Sequence, residues 1–316
     1  MTKQLDVVTF GEPMAMFYAN ETGALHEVTS FSKALAGAET NVVTGLSRLG
    51  LSAGLVTRLG QDTFGRFIEQ ALQKEKIDTK SVYFTNEAPT GMLIKSKVEE
   101  GDPEVEYFRK NSAASQLGLE HFDEDYFASA RHLHLTGISP ALSASCSEFA
   151  LHAMKFMREK GKTISFDPNL RPKLWPDTQT MANAINELST YCDWFLPGIG
   201  EGKILTGFTK PEDIAAFYME RGVKVVVIKM GAEGAYYKTA EEEGMVKGFK
   251  VKQVVDTVGA GDGFAVGVIS GLLDGLSLTE AVRRGNAIGA LAVMSPGDSD
   301  GLPTREQLAA FMEHGA

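Results

Sequence analysis

The sequence predicts an α/β fold in which helices cover a mostly parallel sheet and a small second sheet stands apart. First, apolar strand patterns alternate with amphipathic helix patterns along most of the chain, an order typical of parallel sheets. Second, residues 81–112 interrupt this alternation with short strand patterns and no helix. Third, glycine and polar residues collect in the loops after the strands, where ligands bind in such folds.

The chain begins with a βαβα unit. A buried strand is predicted at residues 5–10, and a helix at 42–49, where apolar residues recur at helical spacing. A second strand is expected at 52–58, followed by a helix that begins at Asp62, a residue type that caps helices well. We therefore expect parallel strands with covering helices from the start of the chain.

The interruption contains three strand patterns, at residues 82–84, 91–98 and 104–110. Turn-rich segments join them, and their alternation of apolar and polar residues is partial. The pattern predicts a small sheet that stands off the main body. One face of such a sheet could cover a ligand or a partner subunit, and a plain surface hairpin explains the same pattern equally simply.

The second half of the chain returns to alternating elements. Strands are predicted at residues 132–135, 163–166, 194–196 and 223–229, and helices at 146–160, 181–188 and 214–221. One more strand is predicted at 249–255, an apolar and β-branched run, with a glycine turn and a small-and-apolar helix after it. His132 and His134 share one face of their strand, and we interpret them as core or strand-end histidines because no further metal ligand has suitable spacing.

The glycine turn is the segment around which the prediction of function is built. Residues 256–264 spell Asp-Thr-Val-Gly-Ala-Gly-Asp-Gly-Phe. Glycines let several N–H groups point one way, and the following helix adds its unpaired N–H groups and the positive end of its dipole. This arrangement favours an anion, above all a phosphate. Asp262 is either a base beside that anion or a helix cap.

Composition limits the class of protein. The 316 residues carry a net charge of −10, which disfavours nucleic acid and acidic membranes as partners. The two cysteines, Cys146 and Cys192, have no metal-site spacing and form no disulfide framework, which fits a reduced cytoplasm. The sequence contains no apolar run of membrane-spanning length and no signal-peptide pattern, so a cytoplasmic protein is expected. P-loop, dinucleotide and nucleophile-elbow motifs are also absent.

The glycine turn, together with Gly37-Ala-Glu-Thr-Asn41 and Lys229-Met-Gly231-Ala-Glu-Gly234, resembles the ribokinase/PfkB family of carbohydrate kinases over essentially the whole chain. The resemblance implies a single kinase domain over residues 1–316. It has a three-layer α/β/α ribokinase-like core and a β lid drawn from about 13–36 and 82–112. It also implies ATP with Mg²⁺, transfer of a phosphoryl group to a sugar hydroxyl, and a homo-oligomer formed through the lid.

The resemblance also implies roles for individual residues. Asp262 is the base, ionised at neutral pH if its pKa is the ordinary value of about 3.9. The backbone amides of Gly259, Ala260, Gly261 and Asp262 form the anion hole. The implied nucleotide-binding residues are Asn169, Lys229, Gly231, Gly234, Gly259, Gly261 and Asn286. For Gly231 and Gly234 the alternative is a hairpin turn, and for Asn286 a packing amide.

One element departs from the family pattern. The family's Asn-x-x-Glu element, which organises Mg²⁺ through water, is Gly198-Ile-Gly-Glu201 in this chain. The resemblance implies a metal role for Glu201, and a surface carboxylate at a helix start is the alternative. The role of position 198 stays open.

Two arginines point to the class of sugar. Tyr107 and Arg109 lie two residues apart in a predicted strand and therefore share a face, and Arg171 ends the loop at residues 167–171. Two guanidinium groups in one cavity suit an anionic substrate, although Arg109 could also be a solvated lid arginine beside Lys110. The implied substrate-binding residues are Gly37, Asn41, Tyr107, Arg109, Arg171, Asp262 and Asp298. For Asp298 the alternative is an Asx-turn.

Residues 107–115, 133–142 and 167–175 resemble the members of this family that phosphorylate 2-keto-3-deoxygluconate. That resemblance implies transfer to the 6-hydroxyl, giving 2-keto-3-deoxy-6-phosphogluconate. One alternative is a fructokinase or another neutral-sugar kinase of the family. An alternative of another class is a regulator that binds a sugar or nucleotide on the same fold without turnover.

Overall fold

The computed structural model describes residues 4–98 and 103–314, and within them nine strands form a large sheet and four form a small one. The strands are β1 (Leu5–Phe10), β2 (Met14–Thr22), β3 (Phe31–Ala36), β4 (Ala53–Gly60), β5 (Val82–Thr85), β6 (Met92–Lys97), β7 (Val105–Phe108), β8 (Ala130–Thr136), β9 (Thr163–Asp167), β10 (Trp194–Phe195), β11 (Val225–Lys229), β12 (Gly234–Lys238) and β13 (Glu243–Lys247). Of the predicted range 1–316, residues 1–3, 99–102 and 315–316 lie outside the described residues.

The helices, in chain order, are α1 (Ala38–Arg48), α2 (Thr63–Lys74), α3 (Glu124–Ala128), α4 (Ser139–Leu142), α5 (Ala144–Glu159), α6 (Thr178–Ser189), α7 (Ile199–Thr206), α8 (Pro211–Met219), α9 (Ala260–Leu273), α10 (Leu278–Ala292) and α11 (Arg305–His314). In the described part of the chain, none of these helices has both the length and the apolar character needed to cross a membrane.

The large sheet has the order β13-β12-β11-β10-β9-β8-β1-β4-β5. Every pairing from β5 to β11 is parallel, and only β12 and β13 at the other edge are antiparallel. Two apolar clusters bury the two faces of the sheet. One includes Phe149 of α5 and Tyr218 of α8, and the other includes Val43 of α1 and Ile269 of α9. The predicted α/β fold with a mostly parallel, helix-covered sheet is confirmed.

The small sheet, called the lid below, has the order β3-β2-β6-β7 and draws its strands from residues 14–36 and 92–108. The prediction that residues 82–84 also belong to it is wrong. Strand β5 pairs in parallel with β4, with Phe84 opposite Leu59, and so forms an edge of the large sheet. The physical reason is that the strand follows α2, so the β4-α2-β5 segment closes as an ordinary parallel crossover unit, and Val82 and Phe84 pack on the core cluster of that face.

The strand predicted at residues 249–255 is also absent, since the structure has irregular chain there. The backbone N–H groups of Val255 and Asp256 donate to the carbonyl oxygen of Val293, at the end of α10, over 2.7 and 3.2 Å, and not to a neighbouring strand. Several apolar side chains of this run, Phe249 and Val251 among them, line a cavity, while the side chain of Val254 is 54% exposed. The apolar residues of this run therefore contribute to the wall of a cavity and do not form a strand of the sheet.

Helices α9 and α10 approach each other unusually closely. A Cβ added to Gly267 of α9 would lie 2.5 Å from the Cα of Gly285 of α10, so the pair packs backbone against backbone. Only glycine permits this distance. The contact fixes the start of α9, which carries the glycine turn, relative to the wall that α10 provides.

Candidate active site

A polar cavity of about 330 Å³ opens between the carboxyl ends of the parallel strands and the inner face of the lid. Loops after β1 and β8, the last residues of β9 and β11, and the first turn of α9 contribute to its wall. Its lining residues are Glu12, Met14, Gly37, Ala38, Glu39, Asn41, Leu93, Tyr107, Arg109, Ile138, Asp167, Asn169, Arg171, Glu201, Lys229, Thr257, Val258, Gly259, Gly261, Asp262 and Asp298. All the predicted substrate-binding residues line this one cavity.

Asp262 is the third residue of α9 and is only 7% exposed. The helix begins after Gly259, whose φ of 82° is left-handed and whose added Cβ would collide with the carbonyl oxygen of Asp298. Asn41 donates from Nδ2 to one carboxylate oxygen over 2.8 Å, and Asn169 donates to the other over 3.3 Å. Asn41 was predicted to contact the sugar and Asn169 the nucleotide, and in this structure both hold Asp262 by hydrogen bonds.

The environment of Asp262 raises its pKa to about 7. Burial is the main cause, and the negative charges of Asp167 and Asp298 add to it, while the Asn41 hydrogen bond and Arg171 act in the opposite direction. The expectation of an ordinary pKa, with full ionisation at neutral pH, is therefore wrong for the ligand-free protein. A carboxylate with a pKa near 7 is well suited to accept a proton at neutral pH.

Lys229, the last residue of β11, supplies the positive charge opposite Asp262. Its Nζ lies 2.6 Å from Oδ2 of Asp167, the last residue of β9, and 3.6 Å from the position of a Cβ on Gly261. Burial alone would lower the pKa of Lys229, but the neighbouring carboxylates of Asp167 and Glu201 raise it. The ammonium group therefore stays charged beside the first turn of α9.

A second, more apolar cavity of about 430 Å³ adjoins the first. Lys229, Thr257 and Gly261 line both cavities, so the two meet at the start of α9. The second cavity is lined by Lys229, Gly231, Ala232, Gly234, Gly248, Phe249, Val251, Val254, Thr257, Ala260, Gly261, Phe264, Asn286, Gly289, Ala290 and Val293. It thus contains the predicted nucleotide-binding residues apart from Asn169 and Gly259, which face the polar cavity.

Gly231, Gly234 and Asn286 each have the structural role that the sequence left open as an alternative, and each also lines the second cavity. Gly231 and Gly234 do form the tight connection between the antiparallel strands β11 and β12, and they also line the second cavity. The Nδ2 of Asn286 donates to the carbonyl oxygens of Val246 and Lys247 over 3.0 and 3.2 Å, so this amide fastens β13 to α10 while it forms part of the wall.

Glu201 lies at the start of α7, and backbone donors engage both of its carboxylate oxygens. One accepts from the N–H of Leu170 over 2.8 Å and the other from the N–H of Gly198 over 2.7 Å. Among residues 4–98 and 103–314, no cluster of three or more carboxylate, histidine or cysteine ligands could hold a metal by itself. Any Mg²⁺ here would need most of its ligands from phosphate and water, which is how Mg²⁺ is usually bound.

Arg109 is not the solvated lid arginine of the alternative interpretation, since its side chain is only 10% exposed. Its Nε donates to Oε2 of Glu12 over 2.6 Å, and Ser112 donates to the other oxygen of Glu12. Tyr107 lies on the same strand end, with its ring centroid 5.6 Å from the guanidinium carbon. Glu12 was not among the predicted site residues, although its place in the loop after β1 was a signal.

Three further groups at the site escaped the sequence analysis. Glu39 is buried and accepts hydrogen bonds from Thr136 and Ser139, and burial raises its pKa. Asp167 forms the ion pair with Lys229 described above. Lys95 of the lid forms an ion pair with Asp298. Only Asp167 had a signal in the sequence, as a polar residue at the end of a strand, because the partners of all three groups are remote in sequence.

The two strand histidines are buried in the core, as predicted. His132 is within hydrogen-bonding distance of the hydroxyl groups of Thr163 and Ser165 and stacks on Trp194. Burial lowers the pKa of both histidines, that of His134 to about 3, so both are neutral at physiological pH. They act as packing and hydrogen-bonding groups.

The raised pKa of Asp262 leads to a stability prediction. Between about pH 4 and pH 7 the folded protein keeps this carboxyl protonated while the unfolded chain has lost the proton, so unfolding becomes easier as pH rises. Relative to Asp262→Asn, the wild type should lose roughly 1.4 kcal/mol of unfolding free energy per pH unit in that range. Urea unfolding at several pH values measures this, with the exposed Asp213→Asn as control. Parallel curves for wild type and Asp262→Asn would contradict the raised pKa.

Comparisons with known proteins agree with this architecture. The model of the pfkB family carbohydrate kinases matches residues 4–305. The 2-dehydro-3-deoxygluconokinase of Bacillus subtilis (strain 168) is 61% identical over 310 residues, which cover 98% of this chain and 96% of that protein. The crystal structure of a PfkB protein from Polaromonas sp. JS666 superimposes with a TM-score of 0.90 at 51% identity, over 97% of this chain and 99% of that one. A putative ribokinase II from E. coli, in complex with ATP and Mg²⁺, gives a TM-score of 0.90 at 28% identity over 98% and 99% of the two chains. The chain belongs to the pfkB family of carbohydrate kinases.

Proposed function

We propose that this kinase transfers the γ-phosphoryl group of ATP to the 6-hydroxyl of 2-keto-3-deoxygluconate, also called 2-dehydro-3-deoxygluconate. The product is 2-keto-3-deoxy-6-phosphogluconate. The observation that carries the proposal is the junction of two cavities at the start of α9, beside Asp262. One cavity is polar and contains two arginines, and the other is apolar with a glycine-rich wall. The name of the Bacillus subtilis relative, at 61% identity, supports the same substrate.

The nucleotide is assigned to the second cavity. Its apolar wall, formed by residues such as Phe249 and Val251, suits an adenine ring. The phosphates would extend from there towards the first turn of α9, where backbone N–H groups and the helix dipole favour negative charge. Lys229 lies beside that turn and adds a full positive charge. The geometry thus suits a triphosphate whose terminal group reaches the polar cavity.

Asp262 is the proposed base. When the sugar hydroxyl attacks phosphorus, its proton would pass to the Asp262 carboxylate, whose two oxygens are oriented by Asn41 and Asn169. A pKa of about 7 leaves about half of the ligand-free molecules ionised at neutral pH. Phosphoryl transfer needs positioning and charge stabilisation more than covalent chemistry, and the start of α9 supplies both.

The residues around Glu201 fit a Mg²⁺ ion that is bound mainly through the nucleotide. Glu201 lines the polar cavity, and each of its oxygens keeps a second lone pair beyond its single backbone hydrogen bond. The metal would be held by phosphate oxygens and by water bound to Glu201, and it would neutralise phosphate charge. Gly198 has a φ of −75°, a backbone conformation that any residue can adopt, so the local backbone does not require glycine at this position.

The two guanidinium groups in the polar cavity favour an acid sugar. Arg109 and Arg171 both line that cavity, and Arg109 is oriented by Glu12 through its Nε edge. The guanidinium group is a rigid fork of five donors, so the remaining N–H groups can pair with a ligand carboxylate. A neutral hexose would offer no anionic acceptor to the N–H groups of Arg109 that Glu12 does not engage.

Asp262→Asn tests both the reaction and the base. We expect ADP release by the wild type with 2-keto-3-deoxygluconate and much slower release with fructose or ribose. The variant should bind ATP normally and lose roughly 10²–10⁴ in turnover, because the proton acceptor is gone. A coupled ADP-release assay and nucleotide titration measure these quantities. Faster turnover of fructose would overturn the acid-sugar assignment, and an unchanged turnover in the variant would overturn the base.

Arg109→Ala tests the recognition of the carboxylate. Loss of one charge-assisted pair should raise KM for the acid sugar about 10- to 100-fold and leave KM for a neutral sugar almost unchanged. Lys110→Ala, the exposed neighbour, is the matched control. Because Arg109→Ala leaves Glu12 buried without its cation, the double variant Glu12→Gln/Arg109→Ala is measured as well. Equal effects on both sugars would contradict the assignment.

We also propose that the protein is a cytoplasmic homodimer that associates through the lid, with neither nucleic acid nor membrane as partner. Strand β7 is an edge of the lid sheet and carries Phe108, which is 48% exposed, while Val98 beyond β6 is 38% exposed. An exposed edge strand with apolar side chains favours association with a second copy. Cys146 and Cys192 are free and buried, which suits a reducing compartment.

Light scattering after size-exclusion tests the dimer. Phe108→Asp should shift the protein to a 34 kDa monomer, because it places a charge in the apolar contact. Phe208→Asp, at a site 45% exposed outside the lid, is the matched control and should leave the dimer intact. A wild type that elutes only as the monomer would rule out the dimer.

A further inference from the structure

Lys95 of β6 is a lysine buried inside the lid. Its side chain is only 4% exposed, and its Nζ contacts the carboxylates of both Asp256 and Asp298, the latter at 3.3 Å. A buried ammonium group is retained only where carboxylates offset its loss of hydration. The cluster of one cation and two carboxylates thus connects the lid to the body of the protein.

The two carboxylates belong to the segments that build the active site. Asp256 begins the glycine turn, and its Oδ1 accepts the N–H of Val258 over 3.0 Å. Asp298 lines the polar cavity, and its carbonyl oxygen packs against Gly259 at the start of α9. Lys95 therefore holds, from the lid side, both the turn that leads into α9 and the loop that supports it.

We propose that Lys95 is a positioning residue that ties closure of the lid to the shape of the turn at residues 256–259, and so couples ligand binding in the two cavities. This inference rests on the proposed assignment of the polar cavity to the sugar and the apolar cavity to the nucleotide.

The physical reason for the coupling lies in the shared wall. Thr257 and Gly261 line both cavities, so a displacement of the turn changes both at once. If the lid moved away, Lys95 would leave two neighbouring carboxylates without their cation, and their repulsion would disturb the turn. A ligand that holds the lid closed would therefore favour the turn geometry that the other ligand needs, and the effect is reciprocal.

Three variants test the inference. Lys95→Met removes the charge and keeps the length, Lys95→Arg keeps the charge, and Lys97→Met is the matched control, an exposed lysine on the same strand. Calorimetry gives the affinity for 2-keto-3-deoxygluconate with and without a non-hydrolysable ATP analogue and Mg²⁺. The affinity with the analogue should exceed the affinity without it by about 5- to 150-fold in the wild type, and the two affinities should be nearly equal in Lys95→Met. The kcat/KM should fall about 10²-fold in Lys95→Met. Lys95→Arg should recover most of both quantities, and Lys97→Met should match the wild type.

Hydrogen exchange of the ligand-free protein provides a readout that does not depend on the substrate. Amides at residues 257–259 should exchange faster in Lys95→Met than in the wild type and in Lys97→Met. If Lys95→Met does not fold, Lys95→Met/Asp256→Asn replaces it. The amide oxygen introduced by Asp256→Asn would still accept the N–H of Val258, while one uncompensated charge is removed.

The outcomes separate this inference from the proposed function. If Lys95→Met showed the same affinity ratio and the same amide exchange as the wild type, the positioning role would be overturned and the kinase assignment would stay intact. The same would follow if the two ligands bound independently to the wild type. A wild type that does not phosphorylate the acid sugar would overturn the proposed substrate. The exchange measurement would then still decide whether Lys95 holds the turn.

Discussion

The structure of this site depends on one buried carboxylate at the positive end of a helix. Asp262 lies in the first turn of α9, where a charge would be costly without partners, and two amides from distant segments donate to its oxygens. Those donors come from α1 and from the loop after β9, so the position of Asp262 requires the large sheet to be assembled. Burial raises its pKa, while the Asn41 hydrogen bond and the charge of Arg171 limit the rise.

A balance of charges surrounds that carboxylate. Glu12 is paired with Arg109, Asp167 with Lys229, and Asp298 with Lys95, and each pair is largely buried. The chain as a whole carries a net charge of −10, yet Arg109 and Lys229 both line the wall that an anionic ligand would approach. Local pairing, and not the net charge, therefore sets which ligands the site accepts.

Sequence patterns predicted the parallel sheet because strands such as β1 and β11 are rich in apolar residues and alternate with helix patterns. They predicted a site because the loops at the carboxyl ends of such strands share one edge of the sheet. They failed at residues 249–255, where the same apolar pattern lines a cavity, and at β5, whose partner strand no local pattern specifies. They also missed the pairing of Lys95 with Asp298, since 203 positions separate the two residues. Periodicity reports burial, whereas pairing and pKa depend on the tertiary fold.

A chain of hydrogen bonds connects Glu201, at the start of α7, to Asp262 through the loop after β9. The oxygens of Glu201 accept from the backbone N–H groups of Leu170 and Gly198, so the side chain fastens the loop after β9 to the start of α7. Asn169 precedes Leu170 and has the strained φ of 38°, a conformation that the fastened loop sustains. From that position its amide reaches Asp262. Because Glu201 accepts from the backbone N–H at 198, glycine at that position provides the contact that fastens the loop carrying Asn169.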